Sequence, residues 1–548
     1  MSNGLIEVLN ALGSLLRFGI LPFYSDRFIQ LLGAAFAGSG SAGVLVIHFR
    51  EKIREIPLLF CRYHVVICGV HTTTEVLAQQ FRNKKTKTVV IGAGEDTFEA
   101  ENIRRSSTVL LSGDPKNPAV LSLARLKNAS TLLALTGSDG LNAEIALAAM
   151  KILEKRKGEP LTCILQISNP GLWKIIREQV LLPGKSPVVR IDFYNGPALG
   201  ARDLLSSYFT PYIQTLSAHP SLLIVVGAGS LGENIITGAS RAWYETGSRS
   251  SSLQVLLVDV HGREIRDRLY MTYPCLRDAA EIRAVPVDVR SAEFQSGGYL
   301  KDLGSRSSVL AFICLNDDTA GLTAALALSH HLVGLDARIF VRMDHNPGLA
   351  TLVKEMSPET VPITPFNSLS FAARPDLVLG GIREILARAI HDQYLAKQSL
   401  HDAEQNDVAM APWDDLPERL RESNRLQAEG ILEKLRAVGC DILPLTDWNA
   451  PAFSFTPAEI EYLAEMEHER WMDAMKTQGF SLGPVKDEQK KTHPSMVPYI
   501  ELSEPEKEKD RDAIRMIPRY LSLIDFQVYR PPGNPAKEAI PALRNERE

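Results

Sequence analysis

The stretch Leu222–Ser240, LLIVVGAGSLGENIITGAS, decides the fold. Five apolar residues read as a buried strand, a glycine-rich turn follows, and a helical pattern opens behind it. Gly227, Gly229 and Gly232 stand at the spacing of a turn built to take a dinucleotide. The first glycine allows the tight turn, the second lets the backbone approach a pyrophosphate, and the third lets the helix pack on the strand. The next predicted strand, QVLLVDV, carries Asp259 near its end, where an acidic side chain would bind ribose hydroxyls.

An earlier stretch, HVVICGVHTTTEVLAQQF (64–81), repeats the strand, turn and helix with its glycines damaged. Gly69 is kept, but His71 and Thr74 occupy the second and third glycine positions, and Gly92 stands where the acid belongs. Side chains at 71 and 74 would crowd a pyrophosphate, so this copy is expected to be structural. Later landmarks confirm a duplication. ISNPGLWKII (167–176) matches MDHNPGLATLV (343–353), and LTGSDGLNAEIALAA (135–149) parallels LNDDTAGLTAALAL (315–328). Asn195 and Arg202 are spaced as Asn367 and Arg374 are. Alternating strands and helices in each copy imply parallel sheets with helices on both faces, two tandem Rossmann-like α/β domains.

These strands, with LLSGDP (Gly113, Asp114) and Thr136, Asp139 and Asn142, resemble the TrkA-N, or RCK, regulatory domain over roughly 60–215 and again 219–400. The second copy has Val287, Asp288 and Val289 where the Gly-Asp motif should lie, so only the acid survives. The resemblance implies a domain that gates potassium channels and transporters, binding NAD(H), ATP or a related adenine nucleotide without chemistry. Gly227, Gly229, Gly232, Asp259 and Asp288 are its candidate cofactor-binding residues.

A second resemblance covers about 410–530. Glu467-His468-x-Arg470-Trp471, Gly479 and Gly483, His493-Pro494, Val497-Pro498-Tyr499, Glu501-Leu502 and Lys509-Asp510-Arg511 recur in the order seen in the RyR domain, a small helical module. His468 and Glu469 suggest a zinc helix, but that needs a histidine at 472, where Met472 stands. Trp413, Asn424, His468, Arg470, Trp471 and His493 are candidates for holding a nucleotide-derived small molecule. His468 and Arg470 would either contact a ligand phosphate or pair with acids on a neighbouring helix, the second being the commoner role. Leu463, Met466 and Trp471 are expected to pack inward. Asn424, polar in a helical run, needs a backbone or ligand partner.

The 548 residues are 45% hydrophobic and 23% charged, with net charge -5, which gives no electrostatic footprint for nucleic acid. Six scattered cysteines without a CxxC pair read as reduced thiols. Phe28–Phe49 holds 22 residues without Lys, Arg, Asp or Glu, followed by Arg50, Lys52 and Arg54. That length spans a bilayer and would leave the bulk of the chain cytoplasmic, with residues 5–49 as the membrane-associated part. Its Gly and Ser content fits a packed hairpin or an oligomerisation helix as well.

The chain therefore divides into an apolar segment (1–58), a degenerate Rossmann-like domain (59–217), a second with GxGxxG (218–404), a RyR domain (405–530) and a tail (531–548). The combined resemblance implies a non-catalytic nucleotide sensor, homo-oligomeric, acting with a membrane or ion-channel partner or in antiviral defence. Two alternatives stand beside it: an NAD(P)-dependent oxidoreductase, and a membrane-linked scaffold using the RyR domain for protein docking. Against the oxidoreductase, none of the 14 tyrosines has a lysine four residues on. PGKS (183–186) would need a glycine at 179 to be a phosphate loop, and Gln179 stands there.

Overall fold

The computed structural model describes residues 61–531 apart from 93–96, 107, 155, 157, 181–187, 216–220, 247–251, 301–307, 346, 356–360, 399–407, 449–452 and 488. The N-terminal apolar segment, PGKS and nearly all of the tail lie outside the described residues. Among the described residues no helix is long and apolar enough to cross a membrane.

The first copy builds a six-stranded sheet from β1 (Val65–Cys68), β2 (Thr88–Gly92), β3 (Val109–Ser112), β4 (Thr131–Ala134), β5 (Leu161–Gln166) and β6 (Val189–Tyr194), ordered β3-β2-β1-β4-β5-β6. The second uses β7 (Ser221–Val226), β8 (Leu253–Val258), β9 (Ala280–Val285), β10 (Ser308–Ile313), β11 (Asp336–Arg342) and β12 (Ile363–Phe366), ordered β12-β11-β10-β7-β8-β9. Numbered within each copy, the two orders are the same doubly wound order. β1 pairs in parallel with β2 and β4, and β7 with β8 and β10.

Near-continuous Val, Ile and Leu runs follow from this topology, because helices bury both faces of a parallel sheet. In the second copy Leu223 and Val225 enter one core and Leu222, Ile224 and Val226 the other. The helix after the glycine turn, Ser230–Glu245, fills the first core through Leu231, Ile235, Ile236 and Ala239. Asp318–His331 fills the second through Ala324, Ala325 and Leu328.

The helices used below are α1 (Thr72–Asn83), α2 (Asp139–Leu153), α3 (Pro170–Val180), α4 (Gly196–Leu204), α5 (Ser230–Glu245), α6 (Asp318–His331), α7 (Leu369–Ala372), α8 (Pro375–Gln398), α9 (Glu418–Ala437), α10 (Pro457–Thr477), α11 (Glu504–Arg515) and α12 (Ile517–Ser522). Asn195 caps α4 by accepting from the Ala198 amide (3.1 Å), and Asn367 accepts from the Leu369 amide (2.9 Å) at the start of α7. Each landmark asparagine thus accepts an amide at the start of the following helix, Asn195 as its cap and Asn367 one residue before the cap. α8 breaks at Gly381, whose φ of 52° and close approach to Asp192 exclude a side chain.

The chain divides into two compact units, the larger of which takes in residues 137–143, 164–187 and everything from 191 on. That unit ends in the C-terminal domain, built on α9, α10 and α11. It is not wholly helical: β13 (Asp441–Pro444) pairs antiparallel with β16 (Phe526–Tyr529), and β14 (Ser481–Leu482) pairs with β15 (Thr492–His493). α10 begins in a full capping box, Thr456 with Glu459, behind Pro457.

Candidate functional site

The two glycine turns share one backbone and differ in what fills the space above it. Gly69 donates its amide to the Ile91 carbonyl (2.8 Å), and Gly227 donates to the Val258 carbonyl (2.9 Å). Both take positive φ, 120° and 83°. In the second copy a Cβ on Gly227 would lie 2.7 Å from Leu315, and one on Gly232 would collide with the Gly227 carbonyl oxygen. A Cβ on Gly229 would meet nothing within 4 Å. The crowded glycines serve the fold, and the uncrowded one faces open space at the first turn of α5, where free amides favour an anion.

Asp259, just past β8, accepts the Ala228 amide (2.9 Å) and the His261 amide (2.9 Å). Its carboxylate therefore braces the glycine turn and stands beside it. Asp288 accepts the Arg290 amide (2.8 Å), just as Asp114 accepts that of Lys116 (3.0 Å) in the first copy. The acid surviving from the Gly-Asp motif is thus a turn former in both copies. Beside it, the exposed Arg290 pairs with Asp317 at 2.9 Å.

The first copy closes the same space with its own side chains. His71 turns its ring onto the Leu135 carbonyl, and burial lowers its pKa. Val70 packs where a side chain on Gly92 would have to go, and Thr74 is fully buried. No room is left for an acid at 92, which explains the missing carboxylate.

A further shared device was not read from the sequence. Asp139 at the start of α2 accepts the Ser168 and Asn169 amides (3.0 and 2.7 Å), and Asp318 at the start of α6 accepts those of Asp344 and His345 (3.2 and 2.9 Å). Each ties a helix start to the loop after the neighbouring strand. In the second copy the tie continues into Asp344, which takes Arg342 (2.5 Å) and both the amide and hydroxyl of Ser368 (2.7 and 2.6 Å). The paired NPG landmarks mark these loops, but nothing in them points to the aspartates.

The six candidates in the C-terminal domain do not share one set of contacts. His468 is buried, stacks on Trp471 (centroids 5.5 Å apart) and lies 6.1 Å from the Tyr499 ring. Trp471, half-buried, meets His493 edge-on at 5.0 Å. Arg470 points elsewhere: with Lys434 it holds Glu467, at 2.5 and 2.6 Å. Leu463 is buried as expected, with Glu459, Ala464 and His468 on the same stripe, while Met466 is half-buried. Asn424 donates to the Leu420 carbonyl (3.0 Å), a backbone partner on its own helix. Trp413 is buried among Arg388, His391 and Arg425, its ring centroid 5.2 and 5.9 Å from the two guanidiniums.

His468 gives a pH signature. Burial pulls its pKa down, but the Asp510 carboxylate at Nδ1 (3.4 Å) and the Val497 carbonyl at Nε2 (2.8 Å) outweigh burial and raise it above 6.5. The doubly protonated ring has an acceptor for each N–H. A raised folded pKa gives stability that is complete below the unfolded value and lost as pH rises through the folded one. The melting temperature should therefore fall as pH rises from the unfolded value through the raised folded one, and Asp510→Asn should flatten that slope. An equal slope in both proteins would remove His468 as its source.

Residues 65–179 match the TrkA-N domain. Residues 457–530 match the RyR domain. The TrkA-N match falls on the copy that fills its own crevice, and the RyR match covers α10 through β16. A curated relative, potassium channel protein 1 of Methanocaldococcus jannaschii, is 27% identical over 109 residues, 19% of this chain and 33% of the relative, so the chain spans about a third of that relative's length. Among solved structures, GsuK bound to ADP is similar with a TM-score of 0.39 at 16% identity, over 67% of this chain and 86% of that one. The GsuK channel bound to NAD is similar with a TM-score of 0.39 at 15% identity, over 67% of this chain and 75% of that one.

Proposed function

We propose that the protein is a non-catalytic, nucleotide-responsive regulator. Its second Rossmann-like copy takes NAD(H) or another adenine nucleotide, its first copy serves as scaffold, and its RyR domain reads a second signal. The observation that carries this is the contrast between the turns: open space at Gly229 with Asp259 alongside, against Val70, His71 and Thr74 packed into the same place. The TrkA-N match and the potassium-channel relative support regulation of ion transport, with a homo-oligomer acting on a channel or transporter. The RyR match supports a separate sensing or docking role for the last domain.

Small molecules released from the denatured protein should include an adenine nucleotide by mass spectrometry. Calorimetry of the full chain with NAD+, NADH, ADP and ATP should show saturable heat with at least one of them. No heat from any, and no released nucleotide, would end this reading.

A further inference from the structure

A cavity of about 340 Å³ lies within the larger unit, apart from the His468 cluster but with Ser230, the residue after Gly229, in its wall. Its walls include α3 to α4 at the end of the first copy, α5 of the second, and the turn Ser522–Phe526 of the C-terminal domain. Trp173 on α3 stacks on Phe193 (centroids 4.0 Å, planes 22° apart) and lies 5.1 Å from Phe526. Tyr273 and Trp448 supply further rings. Trp173 is 3% exposed, and its indole N–H has no acceptor among the described residues. A buried donor without a partner is costly, and one in a cavity wall asks for an acceptor from whatever enters.

Two guanidiniums converge on the same cavity. Arg202 of α4 and Arg241 of α5 (2.6 Å) both bind the Asp525 carboxylate. Arg241 is the better fixed of the two: it is 13% exposed and also held by Glu245 (2.8 Å) on its own helix. Asp525 is the removable one. It is 53% exposed and sits on a turn with φ of 62°, an uncommon region for a residue other than glycine. The two other acids of the wall are already engaged, Glu233 by Arg268 and Glu245 by Arg241.

We propose that this cavity binds a nucleoside monophosphate, whose phosphate replaces the Asp525 carboxylate between Arg202 and Arg241 while its base lies against Trp173. Two forked guanidiniums from separate helices suit a head with three oxygens, and an aromatic wall with a spare N–H suits a base bearing acceptors. The volume is at the small end of ligand pockets and suits a mononucleotide better than a dinucleotide. Asp525 then acts as a tethered competitor. Displacing it breaks the ion pairs that hold the Ser522–Phe526 turn to α4 and α5, so the ligand loosens the C-terminal domain from the helix that opens at Gly229.

The test uses the full chain carrying Gly229→Glu, which separates this site from the nucleotide site proposed above. Tryptophan fluorescence is titrated with AMP, GMP, CMP and UMP, and with adenosine and inorganic phosphate as half-ligands. At least one monophosphate should bind, with both half-ligands far weaker. Asp525→Asn should tighten binding about tenfold by removing the competing carboxylate. Arg241→Gln should abolish it, and Arg202→Gln is read instead where Arg241→Gln fails to fold. Binding unchanged by Asp525→Asn and by the arginine variants, or no monophosphate bound even by Asp525→Asn, overturns the proposal.

Discussion

Gly229→Glu should cost nucleotide affinity about a hundredfold or more, the several kcal/mol of a like charge set against a pyrophosphate, and leave the melting temperature unchanged. In the unliganded fold a Cβ at this position meets nothing within 4 Å, and φ of -66° suits any residue. The glutamate therefore has room in the free protein and conflicts with the ligand alone. Gly232→Ala is the contrasting variant. Its methyl would run into the Gly227 carbonyl oxygen, a backbone atom that cannot swing away, so it should destabilise the fold by about 1–3 kcal/mol and lose binding as a consequence. Affinity retained by Gly229→Glu would remove this turn as the site. Affinity lost instead on changing His71 or Asp114 would mean that the two copies had been assigned in reverse.

The sequence discloses what is local and hides what is distant. The Val and Ile runs and the three glycines are local, and both sheets follow from them with the same strand order. The loss of glycine at 71 and 74 is equally visible. That Val70 packs across Gly92 and His71 reaches the Leu135 carbonyl is not, because those contacts cross from one strand end to the next. The same limit governs the RyR signature. Helical geometry separates Glu467 and Arg470 from His468 and Trp471, but Lys434 comes from another helix, 33 residues away. The equal spacing of Asn195–Arg202 and Asn367–Arg374 reads as a mark of duplication. In the fold both arginines reach carboxylates contributed from farther along the chain, Arg202 to Asp525 and Arg374 to Asp414 (2.8 Å). The repeat thus preserved an asparagine at a helix start and an arginine staple, and only the asparagine's role could be guessed from its residue type.

Glu384 should be a costly acid to remove. It lies on α8 at 2% exposure, and its carboxylate takes Arg425 of α9 at 2.6 Å and Arg388 at 3.5 Å. Trp413 packs against both guanidiniums, which reach outward to Asp376 (2.7 Å) from Arg388 and to Glu418 (2.6 Å) from Arg425. Such a network is weak support for stability as a whole, since its desolvation cost is high, but deleting one buried member strands the others. Glu384→Ala should therefore cost about 3–5 kcal/mol, whereas Glu418→Ala, at an acid 66% exposed, should cost at most about 1 kcal/mol. Restoring an apolar match with Glu384→Leu and Arg425→Met together should recover much of the loss, which distinguishes a stranded charge from a lost contact. Because α8 ends the second copy and α9 opens the next domain, Glu384→Ala should also let the two melt apart. Scanning calorimetry would then show one transition in the parent resolving into two. A loss below about 1 kcal/mol would mean that water reaches these arginines and that the junction is held by the apolar contacts around Trp413 instead.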